Sequence, residues 1–131
     1  MKLNPDCTRA LLIAVEKICD INNYFSAPED LHEVEGDFTH EEIAYHARQC
    51  YLAGLFYEYK HPATLYFDVT DLSPKGHEFL ANIRSEDIWN SVKTVSTKIG
   101  ASSLSAITTI ASNVVSELIK SYFGIGSSHN I

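Results

Sequence analysis

Between residues 18 and 70 the chain has almost no positive charge: only Arg48 and Lys60 stand against ten acids. The rest of the sequence is close to neutral, so this stretch is the source of the formal charge of −7. A nucleic-acid surface built here would lack the cations that supply most non-specific affinity by counterion release. Cysteine is scarce as well. Cys7, Cys19 and Cys50 are odd in number and show no CxxC spacing, which reads as reduced, packed thiols rather than a disulfide framework or a metal site. No Gly-rich phosphate loop, no GxSxG and no cysteine beside a recognisable base is present, so a non-enzyme without cofactor or metal is expected. Met1-Lys2-Leu3 runs straight into Asn4-Pro5-Asp6 without an apolar run and cleavage site, which predicts a cytoplasmic protein.

What is present is ordinary globular material. At 131 residues and 45% hydrophobic content, the chain can bury a real core. Asn4, Pro5 and Asp6 form a helix start, with cap, first-turn proline and acid in order. Cys7, Leu11, Ala14, Val15 and Ile18 then recur at helical spacing, and the helix should fade near Asn22-Asn23. Residues 24–38, rich in acids and containing Pro28 and Gly36, read as a loop with one helical turn near Asp30 and an extended piece near Val34. Thr39 with Glu42 is a capping-box pattern. It opens a helix that faces inward through Ile43, Ala47 and Cys50, with His46 at the edge, and stops at Gly54.

Residues 55–60 and 64–70 are aromatic and β-branched, and His61-Pro62-Ala63 separates them, which predicts a β-hairpin turning at those three residues. Ser73-Pro74 starts another helix, burying Phe79, Leu80 and Ile83. Ser85, backed by Glu86 and Asp87, starts a further one with Ile88, Val92, Val95 and Ile99 on one side and Gly100 as its end. The last helix begins near Ser102 or Ser103. Leu104, Ile107, Ala111, Val114, Leu118 and Tyr122 step along it by 3, 4, 3, 4 and 4, close to a heptad seam. Ser105, Thr108, Thr109, Ser112 and Ser116 give it a polar side, so no membrane span is expected. Gly124 and Gly126 should end it.

The order of helix, acidic loop, helix ending Ala53-Gly54-Leu55, hairpin, and Leu72-Ser73-Pro74-Lys75-Gly76 resembles a winged helix. Met1 to Cys7, the string Gly76-His77-Glu78-Phe79-Leu80-Ala81-Asn82-Ile83-Arg84, Trp89 and Ser103-Leu104 resemble an uncharacterised bacterial and prophage family, domain of unknown function 2513. The resemblance covers nearly the whole chain and implies a winged-helix-like fold and a mobile-element origin, but no activity. The expected fold class is α+β and mostly helical: a winged helix with a β-hairpin wing at 1–84, a C-terminal helical arm at 85–123 and a loose tail at 124–131.

Four surfaces are candidates for function. The recognition-helix surface would present Glu41, Glu42, Tyr45, Arg48 and Gln49. The wing would present Tyr57, Tyr59, Lys60, His61 and Tyr66, with Tyr57 and Tyr59 on one strand face by the period-two rule. Glu29, Asp30, Glu33, Glu35 and Asp37 would form an acidic face, and Leu104, Ile107, Ala111, Val114, Leu118 and Tyr122 a dimerisation seam. Glu41 and Glu42 stand where a DNA phosphate would meet the helix N-terminus. A host or phage protein is therefore the favoured partner, in a host-modulating or anti-defence role. A DNA-binding regulator using Tyr45, Arg48, Gln49 and the wing is the alternative, and a structural component assembled through the last helix is the second alternative.

Overall fold

A computed structural model of the chain describes residues 1–124; the expected tail beyond Gly124, with Gly126, lies outside the described residues. Local capping sets the helix starts. The Asn4 side chain accepts from the backbone N–H of Asp6 at 3.0 Å and of Cys7 at 3.4 Å, opening α1 (Pro5–Ile18). The helix stops short of Asn22-Asn23 because Asp20 folds the chain back, its Oδ1 taking the N–H groups of Asn22 and Asn23 at 2.8 Å each. That local bond competes with helix continuation.

The loop expected at 24–38 contains a strand, β1 (Phe25–Ala27), paired antiparallel with a later strand through Phe25↔Val69, Ser26↔Asp68 and Ala27↔Phe67. Three residues are too few for an alternation signal, and Pro28 follows at once. One turn of 3-10 helix at Leu31–Glu33 and an extended Val34 come next. Helix α2 (His40–Leu52) opens on a capping box formed by Thr39 and Glu42. It ends at Gly54, whose φ of +78° favours glycine.

The hairpin is β2 (Phe56–Ala63) and β3 (Tyr66–Leu72). Its turn is Thr64-Leu65, not His61-Pro62-Ala63, which belong to β2. The sheet order is β1-β3-β2, so β2 is an edge strand, where a proline's missing N–H costs no ladder bond. Pairing is irregular between Lys60 and Ala63, which accommodates Pro62.

Helix α3 (Pro74–Ile83) buries Phe79, Leu80 and Ile83 as expected. Its start clamps the end of α2: Ser73 Oγ donates to the Gly54 carbonyl at 2.6 Å and Lys75 Nζ to the Ala53 carbonyl at 3.1 Å. The Ser73 N–H donates to the Leu55 carbonyl at 2.8 Å. Helix α4 (Glu86–Ile99) is capped by Ser85 and closed by Gly100 in the left-handed region. Its buried positions are Trp89, Val92 and Ser96, whereas Ile99 is 66% exposed and Val95 also lies at the surface. The stripe read from Ile88 to Ile99 is thus turned, because Trp89, the largest side chain, takes the inward position. Helix α5 (Leu104–Phe123) is capped by Ser103 and ends at Gly124.

The fold is α+β, with five helices and a three-stranded antiparallel sheet among the described residues. The chain divides into two compact units, Met1–Leu80 and Ala81 onward. In the first, α1 packs on α2 and on β1 and β3, and α2 lies along β2. Leu11, Val15, Phe25, Ala47, Leu55, Phe67 and Val69 are fully buried there, with the Phe25 and Phe67 rings stacked at 6.2 Å. In the second, α4 packs on α5. No helix among the described residues is long and apolar enough to cross a membrane.

Candidate functional site

Helix α2 turns Ile43, Ala47 and Cys50 inward and leaves Glu41, Tyr45 and Arg48 on the other side. Glu41 and Arg48 are seven positions apart and so share one helix face. At the N-terminal end of α2, His40 Nε2 donates to the Leu65 carbonyl at 2.6 Å, which holds the hairpin turn against the helix. Between them lies a cleft of about 740 Å³ lined by Glu41, Ala44, Tyr45 and Arg48 on α2, and by Tyr59, His61 and residues 62–65 on the hairpin, with Met1 at its border.

Tyr59 is the hub of an aromatic cluster. Its ring lies 4.8 Å from His61 in a stacked arrangement, 5.0 Å from Tyr51, and 6.0 Å from both Phe56 and Phe67. Burial pushes the Tyr59 hydroxyl pKa up, and the Arg48 charge works against that shift. The side chains of Glu41 and Arg48 make no hydrogen bond or ion pair among the described residues. The cleft therefore carries two oppositely charged side chains without an ion pair above an aromatic floor, with Met1 at its border.

Five of the ten residues expected on the recognition helix and wing meet in this cleft: Glu41, Tyr45, Arg48, Tyr59 and His61. Glu42 is spent on the capping box, its Oε1 accepting the Thr39 N–H at 2.9 Å. Gln49 and Lys60 lie outside the lining. Tyr57 and Tyr59 do not share a face: Tyr57 is 74% exposed while Tyr59 is half-buried. Register shifts on either side of Glu58 break the alternation. Tyr66, 56% exposed, lines a separate hollow of about 690 Å³ with Glu29, Asp30 and Asp68.

The acids at 29–37 fall in two places. Asp30 accepts the Ser26 N–H at 2.8 Å in the hollow beside Tyr66. Glu33 pairs with Lys17 at 2.7 Å, and with Glu35 lines a smaller hollow that also holds Arg9. The Lys17 ammonium holds the Glu33 carboxyl below its usual range, and Glu33 raises Lys17 in return. Asp37 is exposed. Two of these five acids, Asp30 and Glu33, are thus occupied with local structure.

His46, read as an edge residue, is fully buried. Its Nε2 accepts the Asn4 N–H at 2.8 Å and its Nδ1 donates to the Glu42 carbonyl at 2.7 Å. The one signal in the sequence was indirect: an N-cap residue's own N–H needs an acceptor from outside its helix. Burial raises the thiol pKa of Cys7 to about 12 and of Cys19 to about 11, and raises Cys50 as well. Cys7 and Cys50 are buried in the core, and the half-buried Cys19 donates to the Val69 carbonyl at 3.4 Å. No group of three metal-ligating side chains occurs among the described residues.

Along α5, Leu104, Ile107 and Ala111 of the expected seam are buried, and Val114 is partly so. Leu118 is 48% exposed and Tyr122 84%, with Ile119 and Phe123 beside them at the surface.

A family described as a hypothetical protein, DUF2513, matches residues 2–102, which span α1 to α4. An uncharacterized protein of Haemophilus influenzae (strain ATCC 51907 / DSM 11121 / KW20 / Rd) is 29% identical over 122 residues, covering 91% of this chain and 99% of that protein. No solved structure matches.

Proposed function

We infer the function of this chain, which belongs to the DUF2513 family, from its own cleft: it is a non-catalytic, winged-helix binding module that holds a protein partner between α2 and the hairpin. The winged-helix reading rests on the element order and the sheet order β1-β3-β2, with α2 as recognition helix and β2–β3 as wing. The observation that carries the choice of partner is the His40–Leu65 bond. A DNA-reading helix must put its N-terminal residues into the major groove. Here the hairpin turn is fastened over that end, Glu41 stands free beside it, and Glu42 caps it.

Two of the cations a regulator would need are committed elsewhere: Lys17 is paired with Glu33, and Lys75 caps α2. Arg48, Lys60, Lys2 and the Met1 amine are few for the steep electrostatic binding of duplex DNA. Tyr45 and Tyr59 in the cleft instead supply the rigid, amphipathic contacts of protein interfaces. A prophage-type protein acting in the cytoplasm on a host or phage protein is the setting we propose.

The test is a titration of the purified chain with random duplex DNA across a salt series, run beside photo-crosslinking from a reactive residue at position 61 in bacterial cells. The expected result is no DNA binding even at low salt, and a discrete protein adduct that Arg48→Glu abolishes. Micromolar DNA binding that falls steeply with salt would put the regulator in its place.

A further inference from the structure

Resting on that reading, we propose that the cleft takes a polyproline-II segment of the partner carrying two opposite charges three residues apart. Two oppositely charged side chains on α2 set the spacing. Glu41 and Arg48 are seven residues apart on α2, which places them within about 20° on one face and about 10.5 Å apart along the axis. Neither side chain makes a hydrogen bond or ion pair among the described residues, so each remains open to a charge brought by the occupant. The basic group goes to Glu41, under the hairpin turn, and the acidic group goes to Arg48, beside Tyr59.

The spacing of these charges selects the backbone form. An extended β-strand repeats its faces every two residues, so same-face charges would stand about 6.8 or 13.5 Å apart. A polyproline-II segment repeats every three residues at about 9.3 Å, close to the Glu41–Arg48 spacing, with both side chains on one face. Its stiff backbone also loses little entropy on docking, and aromatic-lined grooves are the surfaces that hold it. Tyr45, Tyr59 and His61 supply such a lining.

The experiment uses the full chain and four synthetic peptides, followed by amide NMR titration at low salt. The probes are acetyl-Pro-Lys-Pro-Pro-Glu-Pro-amide, the same peptide with Lys and Glu exchanged, and two controls with the charges two and four positions apart. One order of the three-residue spacing should bind more tightly than both controls, with shifts centred on α2 and residues 59–65. Arg48→Gln and Glu41→Gln should each weaken it by about three- to fivefold, the size of an exposed ion pair. The double variant Glu41→Arg/Arg48→Glu should instead prefer the exchanged peptide, which also shows that the substituted chain is folded. Equal binding of all spacings, no preference reversal in the double variant, or no binding at all would overturn the proposal. If the peptides fail while the Arg48-dependent protein adduct persists, only the form of the segment is wrong. DNA binding would remove the underlying reading itself.

Discussion

His46 joins α2 to the start of α1 through Nε2, while its Nδ1 bonds within α2. Asn4 spends its side chain on the first turn of α1 and has its own N–H left over, which Nε2 of His46 accepts. Because Nδ1 donates to the Glu42 carbonyl, the ring carries its proton there and Nε2 is bare. A phenylalanine would fill the same space without either bond and would strand the Asn4 N–H. His46→Phe should therefore lower stability by about 1–3 kcal/mol, the cost of leaving a buried donor unpaired. Glutamine, which keeps a carbonyl acceptor, should recover part of that loss. Urea unfolding reads both; an unchanged midpoint in the phenylalanine variant would mean that water reaches Asn4.

At the scale of elements, the junction of α2, β2 and α3 depends on one glycine. The last carbonyls of a helix lack intrahelical partners, and here Ser73 and Lys75 serve those of Gly54 and Ala53. That clamp draws α3 so close that a Cβ on Gly76 would lie 2.1 Å from the Leu55 carbonyl oxygen. Alanine is otherwise the better helix former by about 1 kcal/mol, so the sign of the change is diagnostic. Gly76→Ala should destabilise by about 1–3 kcal/mol through overpacking, measured as a lower urea midpoint; a gain would mean that α3 can retreat. The reason such features escape a sequence reading is their range. The caps Asn4, Thr39 with Glu42, Ser85 and Ser103 act within four residues and were legible, as were the glycines that end α2, α4 and α5. Strand β1 is defined by partners forty or more residues away, and Pro62 looks like a turn until β2 is known to be an edge. Likewise, Glu41, Tyr45, Arg48, Tyr59 and His61 could be named as surface residues of a helix and a hairpin. Their convergence depends on the His40–Leu65 bond across 25 positions, which no local pattern encodes.

For the molecule as a whole, the open question of assembly lies in α5. Its 20 residues extend about 30 Å, against about 21 Å for the 14 residues of α4. A short connection makes the two antiparallel neighbours, so about 9 Å of α5 outruns its partner. The apolar positions continue through that overhang, with a step of four from Leu118 to Tyr122 in place of three, and Ile119 and Phe123 widen the surface beside them. Exposed there are Leu118, Ile119, Tyr122 and Phe123, while Glu117 and Lys120 pair with each other at 3.4 Å. Apolar residues grouped in this way on a surface mark an interaction site. A second copy meeting the same stretch about a two-fold axis would bury each side chain twice per dimer. Sedimentation should accordingly show a concentration-dependent dimer. Leu118→Asp with Tyr122→Asp removes about 1.5–3 kcal/mol per buried side chain, so it should shift the chain to monomer at every concentration tested. Both positions are exposed in the single chain, so helix content by circular dichroism should stay the same and separate lost association from lost folding. A wild-type chain that sediments as a monomer at high concentration would assign this end of α5 to the same partner as the cleft, or to another.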